Sequence, residues 1–120
     1  MKVVLLLAEH DPSAWDRATD AERDRVLAQH TAFDQAVRQR GALVAGEALA
    51  ASDTARTLRT GPDRPVTLGP YAETTEQMTG FYVIDVPSTD DALELAGLLP
   101  EGYTIEVRPV VEIEGYDAPG

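Results

Sequence analysis

A chain of 120 residues, 43% hydrophobic and 26% charged, has the composition of one globular domain with a single core. Its formal net charge is −11, and the second half is the more acidic: residues 61–120 hold 2 basic and 12 acidic groups, against 8 and 9 in 1–60. Such a surface repels phosphates and anionic headgroups, so direct binding to nucleic acid or to a membrane is not expected. The absence of cysteine excludes disulfides and thiolate metal sites and agrees with a cytoplasmic location.

The chain begins with a predicted strand and a predicted long helix. Residues 3–8, VVLLLA, form an apolar run without alternation, which is too short to span a membrane and is typical of a central strand. Thr19 and Glu22 have the spacing of a capping box. The helix that they begin continues to about Arg40, and its apolar positions recur at helical spacing, so one face is expected to pack on a sheet.

The middle of the chain predicts four further strands. Residues 42–50, ALVAGEALA, form a strand in which Gly46 marks a bulge or a close backbone approach. ARTLRT and PVTLG then flank a Gly-Pro-Asp turn, which predicts a peripheral hairpin. Residues 80–86, GFYVIDV, are rich in β-branched and aromatic side chains and predict a strand that Pro87 ends.

The last third of the chain predicts a second helix and a closing strand. Ser88 and Asp91 repeat the capping spacing, and Pro100 ends the helix that follows. Residues 103–113, YTIEVRPVVEI, alternate apolar and polar side chains as a strand with one covered face does. We expect the residues beyond, 114–120, to form a flexible C-terminal tail.

The predicted fold is α+β, a ferredoxin-like β-α-β-β-α-β sandwich with an extra β-hairpin, in a single domain over residues 1–113. Both helices are expected on one face of an antiparallel four-stranded sheet, which leaves the second face bare. Two copies can cover these faces against each other, so we expect a homodimer that forms a dimeric α+β barrel.

Five separated pieces of the chain occur in the order found in one protein family: the N-terminal apolar strand, His30 on the first helix, GEAL at 46–49, LGPYAETTEQMTGFY at 68–82 and EVRPV at 106–110. On these pieces the chain resembles the YCII-related family, and within it the DGPF group, over residues 1–113. It departs from the group's pattern at Leu68, where an Asp is usual, and at Thr75, where a Lys is usual. A charge pair between those positions would be absent here.

The resemblance implies a dimeric ferredoxin-like barrel, and it leaves the activity open. Most members of the family have no established activity. Related proteins include a dehydrochlorinase of chlorinated hydroxyquinol breakdown, and the fold is similar to that of muconolactone isomerase. Members of the DGPF group are often encoded beside extracytoplasmic-function sigma factors.

His30 and Asp34 are the predicted catalytic residues. His30 lies on the sheet-facing side of the first helix, and Asp34 follows one turn later, within reach of the imidazole. A histidine whose tautomer is fixed by a carboxylate is a common general acid/base near neutral pH. The resemblance implies a catalytic histidine on this helix acting with an aspartate, and helix geometry selects Asp34. The alternative is a structural histidine that is hydrogen-bonded to Asp34 or to a carbonyl.

Glu47, Tyr71 and Glu73 are the predicted ligand-binding residues. Glu47 interrupts an apolar strand, where a carboxylate either lines a cavity or points to water. Tyr71 and Glu73 follow a Gly-Pro turn and would form a lid over the pocket. If their segment turns helical, Glu73 and Glu76 share a face. The alternative is a structural or interface role, in which the turn delivers a strand and the carboxylates keep an edge soluble.

No metal-ligand spacing, phosphate-binding glycine loop or nucleophile elbow is present, so we expect no metal and no cofactor. Two hypotheses remain. The first is a small cofactor-free enzyme that uses acid/base chemistry on a small aromatic or lactone-like molecule. The second is a non-catalytic ligand-binding or regulatory dimer associated with an extracytoplasmic-function sigma factor system.

Overall fold

The main element of the fold is an antiparallel sheet of four strands. The structure is a computed structural model, and it describes residues 1–117. In chain order the elements are β1 (Lys2–Glu9), α1 (Ala14–Arg17), α2 (Asp20–Arg40), β2 (Ala42–Ala48), a 3-10 turn (Ser52–Thr54), β3 (Arg56–Leu58), β4 (Val66–Leu68), β5 (Gln77–Asp85), α3 (Thr89–Ala96) and β6 (Tyr103–Pro109). The strand order is β2-β5-β1-β6, and β3 and β4 form a separate two-stranded sheet. This order is ferredoxin-like and confirms the predicted fold class.

Strand β1 lies at the centre because both of its faces are apolar. Val3, Leu5 and Leu7 are at most 3% exposed and point toward the helices. Val4 and Leu6, which alternate with them, are half-buried on the opposite face. The unbroken apolar run in the sequence therefore corresponds to one face in the core and one face that no helix covers.

Helix α2 begins with the predicted capping box. The Thr19 hydroxyl accepts from the Glu22 backbone N–H at 3.1 Å, and the Glu22 carboxylate accepts from the Thr19 N–H at 3.1 Å. Phe33 and Val37, one turn apart, are fully buried against the sheet. The cap thus fixes the start of the helix, and the second half of the helix packs against the core.

Helix α3 lies on the same face of the sheet as α2, as predicted. The Ser88 hydroxyl accepts from the Asp91 N–H at 3.1 Å and starts the helix. Ala92 and Leu95 then join Phe33 in one core. The helix ends at Ala96, one turn before the expected Pro100.

The open face of the sheet carries a second apolar surface. Phe81 and Val83 of β5 lie opposite Leu6 and Val4 of β1, and all four side chains are half-buried. The described residues extend over 47 × 45 × 20 Å, so the fold is a slab about one sheet and one helix layer thick. Nothing within the described chain forms a second layer on this face.

The hairpin formed by β3 and β4, which we call the arm, projects from the slab. The Gly69 N–H donates to the Ala55 carbonyl at 2.8 Å, and the Arg59 guanidinium donates to the Tyr71 carbonyl at 2.8 Å. The side chain of Leu68 is 83% exposed. The radius of gyration is 16.2 Å, against roughly 14 Å for a compact domain of this length, because the arm stands away from the core.

Two sequence-based details are corrected. Residues 69–76 contain bends and no helix, so Glu73 and Glu76 do not share a helical face. The bulge in β2 falls between Leu43 and Ala45, so of the two alternatives for Gly46 the bulge is wrong; the close neighbour at Gly46 is the ring of Tyr82. The predicted tail is described only to residue 117; residues 118–120 lie outside the described part of the chain. No helix in residues 1–117 combines the length and the apolar character needed to cross a bilayer.

We expect Thr19→Ala to lower the free energy of unfolding by about 1 kcal/mol, because it leaves a helix N–H without its acceptor. The matched control is Thr31→Ala on the same helix, where the exposed hydroxyl donates to the Leu27 carbonyl; its effect should stay within about 0.5 kcal/mol. Urea unfolding followed by circular dichroism measures both. Equal losses in the two variants would contradict a stabilising role of the cap.

Candidate functional site

His30 of α2 is held between two tyrosine hydroxyls. Its Nδ1 lies 2.6 Å from the Tyr82 hydroxyl, and its Nε2 lies 3.1 Å from the Tyr103 hydroxyl. The imidazole is half-buried, and its ring centroid lies 5.9 Å from the Tyr82 ring and 5.6 Å from the Tyr103 ring. Both ring nitrogens are therefore engaged by groups from the sheet.

The sheet register brings these two tyrosines to opposite sides of β1. Tyr82 on β5 lies opposite Leu5, and Tyr103 at the start of β6 lies opposite Glu9. Both side chains point to the helix-covered face, where α2 crosses the strands. His30 consequently bridges two strands that do not touch each other.

Tyrosine hydroxyls let this imidazole change its protonation state without losing a partner. A neutral imidazole donates from one nitrogen and accepts at the other, while an imidazolium donates from both. A hydroxyl can turn to donate or to accept, so Tyr82 and Tyr103 satisfy either form. This arrangement suits a group that takes up and releases a proton.

The surroundings favour the uncharged forms of all three rings. Burial lowers the pKa of His30, and the nearby charge of Asp34 opposes that effect. Burial, and then the charge of Asp34, raises the pKa of Tyr82 to about 12. Burial, and then the charge of Glu9, raises the pKa of Tyr103. Near neutral pH the site therefore holds a neutral base between two protonated phenols.

Asp34 acts on the site through its charge and not through a hydrogen bond to the imidazole. It follows His30 by one helical turn, yet both ring nitrogens of His30 are occupied by tyrosines. Its Oδ1 is buried and has no hydrogen-bond partner among the described residues. The negative charge of a carboxylate next to the imidazole stabilises the protonated form of the ring.

Glu9 is a site residue that sequence reasoning missed. It faces Tyr103 across the β1–β6 pair and accepts a hydrogen bond from the Thr79 side chain. Burial raises its pKa, against the lowering effect of that hydrogen bond, and the charge of Asp11 adds to the increase. The sequence feature that could have identified Glu9 is a carboxylate directly after an apolar run, at the end of the predicted central strand.

A cleft of about 310 Å³ opens beside Tyr103, between α3 and β6. Apolar side chains form most of its walls, among them Leu93, Leu99, Pro100, Ile105 and Val107. Glu101 is the charged residue at its rim, and no Lys or Arg stands among the described residues that line it. The cleft therefore suits a small, largely apolar molecule, with the Tyr103 ring as the wall shared with His30.

The structure places the other predicted residues away from His30. Glu47 pairs with Phe81 and is exposed on the open face, opposite to the helices. Tyr71 is 78% exposed beside the arm, and Glu73 is exposed in the segment that follows. Within one chain these three residues border neither His30 nor the cleft beside Tyr103.

Among residues 1–117, no three His, Asp or Glu side chains converge as ligands of a metal ion would. The polar side chains of the site meet at one imidazole, whose two nitrogens lie within hydrogen-bond distance of two hydroxyls.

Comparisons with known proteins agree with the resemblance seen in the sequence. The family model described as the YCII-related domain matches residues 1–114. A relative from Rhizobium meliloti (strain 1021), an uncharacterised protein, is 36% identical over 103 residues, which cover 82% of this chain and 81% of the relative. Neither finding names a reaction.

We expect His30 to make stability depend on pH below its ordinary pKa of 6.5. Because burial lowers its pKa in the folded state, the unfolded chain binds this proton first as the pH falls. The stabilisation that the neutral imidazole gives the folded state is complete at pH values above 6.5, and it is lost as the pH falls toward the lower pKa of the folded state. Between about pH 7.5 and about pH 5.5, the free energy of unfolding measured in urea should therefore fall more for the wild type than for His30→Gln.

The same measurement on His10→Gln is the control, since His10 is exposed. Equal pH dependence of the wild type and His30→Gln would show that the imidazole is not held in its neutral form.

Proposed function

The chain belongs to the YCII-related family, and from that premise and the geometry of His30 we propose a small homodimeric, cofactor-free acid/base enzyme. Its substrate is a small aromatic or lactone-like molecule, and its acid/base group is His30 with the nearby charge of Asp34. The observation that carries the proposal is an imidazole whose two nitrogens both lie on phenol hydroxyls, one of them the hydroxyl of a tyrosine that borders a cleft.

The proposed route for the proton runs through Tyr103. A molecule in the cleft lies against the Tyr103 ring, and the hydroxyl of that ring contacts His30 Nε2. As the hydroxyl takes a proton from the substrate, it passes its own to Nε2, and the reverse steps return a proton to the substrate. An isomerisation of this kind has no net proton change. The charge of Asp34 stabilises the imidazolium that forms on the way.

The proposed dimer covers the open face of the sheet. Val4, Leu6, Phe81 and Val83 form an apolar surface there, without a second layer from the described chain. A second copy in a twofold arrangement would place the same surface against it. The arm, which makes the single chain less compact than a domain of its length, then has a partner to contact.

Glu47, Tyr71 and Glu73 belong to this proposed interface. Glu47 is exposed on the open face, and the other two residues follow the arm. Their proposed ligand-binding role depends on dimerisation, because these residues of one copy would contact a ligand that is bound at the site of the partner copy. The homodimer is proposed to work in the cytoplasm, which the lack of cysteine favours.

One observation favours the second candidate, a non-catalytic ligand-binding or regulatory dimer of an extracytoplasmic-function sigma factor system. Both nitrogens of His30 already have partners within the chain, so the imidazole makes no direct contact with the cleft. In that case the cleft binds its ligand without turnover, and His30 only fixes the two tyrosines.

The enzyme proposal predicts catalysed exchange of substrate C–H protons with solvent. Unsaturated five-membered lactones and substituted phenols are incubated with the protein in D₂O, and ¹H NMR follows the loss of the C–H signals. His30→Gln and Tyr103→Phe should each lower the exchange rate by at least about 100-fold, because each breaks the proton route. His10→Gln and Tyr116→Phe are the matched controls, since both positions are exposed.

Binding of these compounds without any exchange above the uncatalysed rate would favour the second candidate. Exchange that persists in His30→Gln would remove His30 from the chemistry.

The dimer proposal predicts a mass in solution of twice the 13.0 kDa of the chain. Val83→Glu should give a folded monomer, because it places a charge in the proposed apolar interface. The control is Leu27→Glu at an exposed position of α2. Sedimentation equilibrium measures both; a wild-type monomer, or a dimer that survives Val83→Glu, would contradict the proposed interface.

A further inference from the structure

We propose that Gly46 is a positioning residue for His30: by lacking a side chain it leaves the space that the Tyr82 ring occupies and so sets the Tyr82 hydroxyl against the imidazole. The role is indirect, since Gly46 acts through Tyr82 and not on a ligand. It assigns a purpose to a glycine in the middle of β2, where glycine is otherwise unfavourable.

The space at Gly46 is already filled by the tyrosine. A Cβ built on Gly46 would lie 2.5 Å from Cδ1 and 2.7 Å from Cε1 of Tyr82. Both distances are well inside van der Waals contact, where carbon atoms are separated by about 3.5 Å or more. Any residue larger than glycine therefore requires the ring to move.

The ring cannot move without changing its contact with His30. Phe33, which is fully buried, packs against it with 4.6 Å between the ring centroids. At the far end of the ring, the hydroxyl lies 2.6 Å from His30 Nδ1. If the edge of the ring that faces Gly46 is displaced, the distance between the Tyr82 hydroxyl and His30 Nδ1 therefore changes as well.

The backbone of β2 places the glycine where the ring needs it. The bulge between Leu43 and Ala45 inserts one residue, after which Gly46 lies opposite Tyr82 on the helix-covered face. Without that extra residue the side-chain alternation would turn position 46 to the open face. The bulge and the glycine thus act together, and Glu47 is turned to the open face by the same shift.

The inference rests on these contacts and is tested on the protonation of His30, so it does not depend on turnover. If the protein proves to be non-catalytic, the positioning of His30 by Gly46 can still be measured. A failed deuterium-exchange experiment and a failed test of Gly46 are therefore distinguishable.

The experiment compares Gly46→Ala with Tyr82→Phe and with the double variant, using ¹H NMR titration of the imidazole C–H signals in the full chain. Both single variants break the contact between the Tyr82 hydroxyl and His30 Nδ1, so the pKa of His30 should shift from its wild-type value by about 0.5 unit or more in each. The double variant should show the same shift as Tyr82→Phe alone, because both changes break one contact. Gly102→Ala is the matched control, since a Cβ there meets no atom within 4 Å.

A second comparison covers the case in which Gly46→Ala does not fold. Tyr82→Val removes the ring, so adding Gly46→Ala to it should leave the unfolding midpoint in urea unchanged. The proposal is overturned if Gly46→Ala leaves the His30 titration as in the wild type. It is overturned equally if Gly46→Ala destabilises the Tyr82→Val protein as much as it destabilises the wild type.

Discussion

The pairing of β1 with both β5 and β6 is the constraint on which the rest of the structure depends. It places Val3, Leu5 and Leu7 under both helices and gives the domain its core. The same register brings Tyr82 and Tyr103 to either side of β1, within reach of one helix. The core and the candidate site therefore share one set of backbone hydrogen bonds, and neither can change register without the other.

Where the signal was local, sequence reasoning succeeded. The capping residues Thr19 and Ser88 start their helices as predicted, because each cap depends on residues three positions away. The sheet-facing position of His30 follows from the helical spacing of its apolar neighbours, and it was also correctly anticipated. The ferredoxin-like fold followed from the order of strands and helices along the chain, and the resemblance to a family implied the same fold.

Where a contact joins distant parts of the chain, the sequence alone was insufficient. The two partners of His30 lie 52 and 73 residues farther along the chain, and nothing near His30 specifies a phenol rather than a carboxylate. Asp34 was selected for its nearness in sequence. The orientation of Glu47 depends on a bulge at Val44, and one inserted residue reverses the face of every side chain that follows in the strand.

The arm is structurally independent of the main sheet. Since β3 and β4 hydrogen-bond to each other and to no strand of the main sheet, their sequence can vary without disturbing the register that holds His30. A lineage could lengthen the arm, change its charge or exchange its exposed leucines while the tyrosine-bound histidine stayed as it is. The surface of the arm and the surroundings of His30 would then diverge separately among relatives.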